Sequence, residues 1–140
     1  MTRLALPSPL EPAVYLERPH RFAVRARLES GRVVQAHLAD PGRMREILVP
    51  GAPLLLHGND DPRRKLRWSC LLCRAETGRG WVSLDTTLPN RLVEKALARE
   101  ELEEMAGWRL VRREVRHGPS RFDFLLQDEG GRPLLLEVKS

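Results

Sequence analysis

Residues 14–85 are built of short runs in which apolar and polar positions alternate, separated by turn signals, the pattern of a small antiparallel barrel. In residues 21–28 the alternation places Phe22, Val24 and Ala26 on one face and Arg21, Arg25 and Arg27 on the other. Ser30-Gly31 supplies a turn, and residues 32–38 complete a hairpin. Pro41-Gly42 opens a short predicted helix at 43–48, whose Met44, Ile47 and Leu48 share a face, and Pro50-Gly51 ends it. Three more strands are predicted at 53–57, 65–74 and 81–84. Five strands with a short helix between the second and third fit an OB-like barrel.

The period changes after Leu88-Pro89. Asn90 is a suitable N-cap, and Leu92, Val93, Ala96 and Leu97 recur at helical spacing, predicting a helix at 91–99 and a further helical turn at 101–106. Strands follow at 109–116, 121–127 and 133–139, joined by Gly118-Pro119 and by residues 128–132. The expected organisation is α+β, with one domain at 1–87 and a second at 88–140. The last strand reaches Ser140 with no following element to cover its sheet. An exposed three-stranded sheet with one helix is a poor independent domain, so either a fragment or a partner-covered surface is expected.

Composition narrows the class. With 41% hydrophobic and 31% charged residues, and no apolar run near the roughly 20 residues that span a bilayer, the chain reads as soluble with no membrane partner. Pro7, Pro9 and Pro12 break the apolar positions of the N-terminus, which therefore lacks a signal-peptide core, and a cytoplasmic location is expected. The formal charge is +5, and its location matters more than its size: residues 1–90 hold 14 Lys and Arg against 9 Asp and Glu, whereas residues 91–140 hold 10 of each. That asymmetry points to a polyanion partner. Arginine supplies 21 of the 24 basic residues, which suits phosphate contact but also follows from a biased genome composition. Cys70 and Cys73 form a CxxC inside a predicted strand; without a second ligand pair they read as buried structural thiols rather than as a zinc or redox site.

The chemistry-bearing pattern lies in the second region. Asp123 interrupts the apolar strand Arg121-Phe122-Asp123-Phe124-Leu125, and Glu137 and Lys139 interrupt the next one on a single face. If the two strands form a hairpin, Asp123 lies beside Glu137. Two carboxylates with a lysine beside them can hold Mg2+ or Mn2+ and orient a water for attack on phosphorus. The plainer reading makes these charges solvent-facing positions on edge strands. Against it, an unpaired charge inside an apolar run is costly.

The segments Leu16-Glu17-Arg18-Pro19-His20-Arg21-Phe22, Asp40-Pro41-Gly42-Arg43-Met44, Ser83-Leu84-Asp85-Thr86-Thr87-Leu88-Pro89-Asn90-Arg91-Leu92, Ser120-Arg121-Phe122-Asp123-Phe124 and Glu137-Val138-Lys139-Ser140, in this order, closely resemble the sugar fermentation stimulation protein A family. The resemblance implies an N-terminal OB-like domain, the first part of a PD-(D/E)xK nuclease-like domain, and DNA as partner. It also implies that the signature acids fall on Asp123 and Glu137 and the lysine on Lys139. Two departures are visible: family members continue beyond the last segment, and similar proteins often carry an acid at the position of Lys95. Glu94, beside it, is either a third carboxylate for the metal or part of a solvated helix face.

Candidate DNA contacts are Arg18, Arg21, Arg43 and the run Arg63, Arg64, Lys65 and Arg67, which lies in or beside a loop where OB barrels meet nucleic acid. Phe22, Trp68 and Trp81 are candidates for base stacking, with core packing the expected role of at least two. The leading expectation is a DNA-binding protein with metal-dependent phosphodiester hydrolysis when full length, the 140-residue chain itself being inactive in cleavage. The alternative is a non-catalytic DNA-binding regulator of sugar-metabolism genes. A sugar-metabolic enzyme has no support, because neither a phosphate-cradling glycine loop nor a nucleophile motif is present.

Overall fold

The computed structural model describes residues 1–139; Ser140, the last residue of the fifth family segment, lies outside the described residues. The chain divides into two compact units, one of Leu6–Thr86 and one of Met1–Ala5 with Thr87–Ser140.

The first unit contains β1 (Glu11–His20), β2 (Ala23–Leu28), β3 (Val33–His37), β4 (Pro53–Gly58), β5 (Trp68–Arg74) and β6 (Trp81–Ser83). They form a sheet of order β3-β2-β1-β4-β5-β6, and a parallel pairing of β3 with β5, Ala36 opposite Trp68 and His37 opposite Ser69, closes it into a barrel of β1–β5. Alternation decides what fills it. In β2, Val24, Ala26 and Leu28 are buried while Arg25 and Arg27 are exposed. Alanines 13, 26 and 36 lie in the same core as the larger Leu38, Leu54 and Leu56. Mixing small and large interior residues in this way fits the taper of a small barrel.

The strand count of five holds, but its membership differs: β1 belongs to the barrel and was not predicted, whereas β6 extends β5 outside the closed ring. The prolines of β1 explain why the strand is hard to see. Pro12 pairs with Leu55 of β4 at a point where pairing with β2, which begins at Ala13, has not started. Pro19 falls in the register irregularity between Glu17 and His20. Strand starts and bulges are positions that tolerate a missing N–H. The predicted helix at 43–48 is a single turn, with Leu48 N–H donating to Met44 C=O at 2.9 Å. Met44 has φ 48, outside the right-handed helical region, and one turn is too short to repay helix nucleation. Its apolar face still packs as expected: Leu48 is buried and Met44 and Ile47 pack against the core.

The second unit contains α1 (Leu88–Ala98), a 3-10 turn at Glu103–Met105, β7 (Arg109–His117), β8 (Ser120–Gln127) and β9 (Pro133–Leu136). The strands form an antiparallel sheet of order β7-β8-β9. Phe124 and Leu126 on β8 are 0% exposed and pack with Leu97 of α1, with Trp108, Leu110, Leu134 and Leu136 around them. The helix starts earlier than predicted: Thr87 is its N-cap and Pro89 lies in the first turn, where a missing N–H costs nothing. Asn90 is therefore inside the helix and not its cap. The region 101–106 gives only the 3-10 turn, ended by Gly107 at φ 83. Among the described residues no helix is long and apolar enough to cross a membrane.

Candidate functional site

Asp123 lies on β8 between Phe122 and Phe124, the second of which is fully buried. Its carboxylate is held from two sides: Asn90 Nδ2 of α1 donates to Oδ1 at 2.9 Å, and the Val138 backbone N–H donates to Oδ2 at 2.7 Å. Strand β9 pairs with β8 with Leu136 opposite Phe124. Strand β9 ends at Leu136, three residues short of the predicted strand, so Glu137 and Lys139 lie just beyond the paired register. Lys139 Nζ lies 2.8 Å from Glu137 Oε1, so the acid and the lysine form an ion pair. The Glu137 carboxylate holds the Lys139 ammonium above the ordinary lysine value, with Asp123 adding in the same direction, so the lysine is charged at neutral pH.

The donor set is all oxygen from two carboxylates, which suits a hard divalent cation that keeps several waters. Asp123 retains lone pairs on both oxygens, since each accepts one hydrogen bond. No group of three or more His, Cys, Asp or Glu able to hold a metal occurs among the described residues. Glu94 does not join the two acids; it pairs with Arg113 of β7 at 3.0 Å. A cavity of about 730 Å3 in this unit, lined by Trp108, Met105, Glu103 and Asp128 among others, includes none of Asp123, Glu137 and Lys139.

The arginines of the barrel divide into those that build it and those that face outward. Arg18 directs its guanidinium at four carbonyls: Nη1 donates to Gly42 O at 2.6 Å and Arg43 O at 3.0 Å, and Nη2 donates to Arg21 O at 2.6 Å and Asp40 O at 3.1 Å. It therefore ties the end of β1 to the loop after β3. Arg43 contributes its carbonyl to that clasp and its side chain is exposed. Arg21 lies over the Phe22 ring, 5.0 Å from the centroid. In the loop between β4 and β5, Arg63 pairs with Asp61 at 2.9 Å and Arg67 with Asp60 at 2.5 Å. The Arg63 side chain and backbone N–H hold the Asp61 carboxyl below the ordinary carboxylate range. Arg64 donates to Ser69 Oγ on β5 at 2.7 Å, and Arg64 and Lys65 line a concavity of about 340 Å3 with His20, Phe22, Gln35 and His37. This concavity lies on β3 between the tight β1–β2 turn and the β4–β5 loop. Sequence reasoning missed Gln35 and His37, although both occupy exposed positions between the buried Val34, Ala36 and Leu38.

Of the aromatic stacking candidates, Trp68 packs against the barrel core and Trp81 lies against Arg74 at 4.2 Å, which leaves Phe22 as the one in the concavity. Cys70 and Cys73 are buried free thiols. Burial pushes the Cys70 thiol up to about 12 and raises Cys73 as well, so neither is a thiolate at neutral pH.

A closed OB-like barrel followed by a small unit of one helix and a three-stranded sheet defines a class of mixed α+β protein in which the barrel comes first. Matching family models place the chain within it: the SfsA N-terminal OB domain at residues 16–84 and the sugar fermentation stimulation protein RE domain at residues 87–140. The chain belongs to the sugar fermentation stimulation protein family. It is 49% identical over 133 residues to the sugar fermentation stimulation protein homolog of Shouchella clausii, covering 94% of this chain and 56% of that protein. The homolog of Moorella thermoacetica is 46% identical over 136 residues, covering 96% and 57%. The structure of Pyrococcus furiosus SfsA in complex with Ca2+ matches with a TM-score of 0.82 and 29% identity, over 99% of this chain and 57% of that one. The chain thus spans little more than half the length of these relatives.

Proposed function

We propose that the protein binds DNA through its barrel, and that Asp123 and Glu137 of the second unit hold a divalent cation for phosphodiester hydrolysis in the full-length family context. The observation that carries the first part is the basic concavity on β3, where Arg64 and Lys65 come from the β4–β5 loop and Arg21 stands beside Phe22. In OB folds this loop and strand surface meet oligonucleotides. The net charge of +5 resides entirely in residues 1–90, which gives that surface a polyanion-attracting field. Changing Arg64 and Lys65 together to alanine is expected to weaken duplex DNA binding about tenfold or more at low salt, measured by fluorescence anisotropy. Unchanged affinity would move the binding face elsewhere.

The second part is supported by the two hydrogen bonds that orient the Asp123 carboxylate and by the Ca2+ complex of the Pyrococcus furiosus relative. Asp123 and Glu137 are the residues that would hold Mg2+ or Mn2+, and a bound ion supplies Lewis-acid polarisation of a phosphate oxygen. Asn90 and the Val138 N–H keep Asp123 in place, and Lys139 sets a positive charge beside Glu137 for the phosphate. The competing reading, a non-catalytic regulator of sugar-metabolism genes, draws support from the pairing of Glu137 with Lys139, with no metal-holding group of three or more acids, histidines or cysteines among the described residues. Calorimetric titration with Mg2+ and Mn2+ separates the two. Hydrolysis requires binding that Asp123→Ala or Glu137→Ala abolishes, with the double variant no worse than either. DNA binding without metal uptake favours the regulator.

A further inference from the structure

The concavity on β3 combines groups that a phosphate-binding patch does not need. Phe22 stands in the β1–β2 turn and is 38% exposed, yet its backbone is fixed at both ends. Its N–H donates to His20 Nδ1 at 3.3 Å, and its carbonyl accepts from Leu38 N–H at 2.8 Å. These bonds fix the Phe22 backbone, Arg21 lies over its ring, and its neighbours Ala23 and Val24 enter the core. An aromatic side chain has only two torsions to fix and so loses little conformational entropy on stacking. Across the concavity Gln35 and His37 occupy successive outward positions of β3, and both carry donors and acceptors of the kind that read base edges. Arg64, anchored by Ser69, and Lys65 close the remaining side with positive charge.

We infer that this concavity is a subsite for one unpaired nucleotide of a DNA strand, with the base stacked on Phe22, its edge met by Gln35 and His37, and its phosphate by Arg64 and Lys65. The arrangement follows from chemistry: a volume of about 340 Å3 with one aromatic wall, one amide and two cations matches the three parts of a nucleotide. A base inside a duplex is already stacked on both sides and cannot use the ring. The subsite therefore gives the barrel a preference for single-stranded or locally opened DNA. It rests on the DNA-binding reading and refines which DNA is bound.

The test compares three labelled DNA probes against the whole 140-residue chain: an oligothymidylate, an abasic strand of equal length and charge, and a duplex. The oligothymidylate is expected to bind about tenfold or more tighter than the abasic strand, the scale of one stacked base. Phe22→Ala should remove that preference while leaving abasic binding unchanged, and Phe22→Trp should restore it. Thermal melting of each variant confirms an intact barrel, and Gln35→Ala, at an exposed strand position, gives an independent reduction of the preference. Equal binding of thymidylate and abasic strands by the wild type overturns the subsite, as does a Phe22→Ala loss that affects both strands alike. In that event duplex binding that weakens with Arg64→Ala leaves the DNA-binding proposal standing, whereas no binding to any probe overturns both.

Discussion

Replacing Arg18 with alanine tests whether an arginine on the barrel acts on a ligand or on the fold. Its two Nη groups donate to four carbonyls at 2.6 to 3.1 Å, three of these contacts being exposed and one, to Asp40 O, partly buried. A charge-assisted hydrogen bond contributes about 1.5–3 kcal/mol when shielded from water and far less where water replaces the lost donor. Counting the partly buried contact near the lower end of that range and the other three at a few tenths each gives a loss of about 2–3 kcal/mol. For a domain of this size that corresponds to a fall in Tm of roughly 10–20 °C. Lysine does not rescue, because a single ammonium cannot address carbonyls on both sides as the guanidinium fork does. The assay is thermal unfolding by circular dichroism, paired with duplex DNA binding well below the melting range, where affinity is expected to change less than about twofold. An unchanged Tm together with a tenfold weaker complex would refute the assignment and make Arg18 a phosphate contact.

Phe124→Ala removes a fully buried ring from the core of the second unit and is expected to destabilise that unit by about 3–5 kcal/mol in denaturant titration, with the barrel transition unmoved. Asn90→Ala leaves Asp123 without one of its two holders and should weaken the proposed Mg2+ or Mn2+ uptake about tenfold, read by calorimetry, while α1 persists by circular dichroism. Cys70 has an ordinary value of 9.0 and is pushed up to about 12 by burial, so above pH 9 the unfolded thiol ionises and the folded one does not. The unfolded state then binds fewer protons, stability falls as pH rises, and the slope from this group is about 1.4 kcal/mol per pH unit. Cys70→Ala should flatten that part of the pH profile, and an unaltered slope would show the thiol to be accessible.

The alternation of β2 and β3 and the helical period of α1 were legible because each element buries one face and exposes the other. Strand β1 was not, since Pro12 and Pro19 break its pattern and only the pairing shows that each falls where no ladder N–H is required. The pairing of β8 with β9 followed from two strands and a turn, a local relation, although β9 ends at Leu136, short of Glu137. The part played by Asn90 did not, because its side chain reaches Asp123 across 33 positions and its place near the helix start made it look like a cap. The same holds for Arg18: a basic residue next to a turn reads as a ligand contact until the carbonyls 22 to 25 positions away are brought to it. Gln35 and His37 were visible as exposed positions on a strand, and only the folding of the β4–β5 loop over them gives those positions a shared concavity.

The salt dependence of DNA binding tests the central claim most directly. Affinity of the chain for duplex DNA, measured by anisotropy between about 50 and 200 mM salt, should fall at least tenfold if several phosphates are engaged. The slope of log affinity against log salt should drop by about 2 units in the Arg64→Ala, Lys65→Ala double variant, one for each phosphate contact removed. A slope near zero in the wild-type chain, or a slope that the double variant leaves unchanged, would contradict a phosphate-binding face on the barrel.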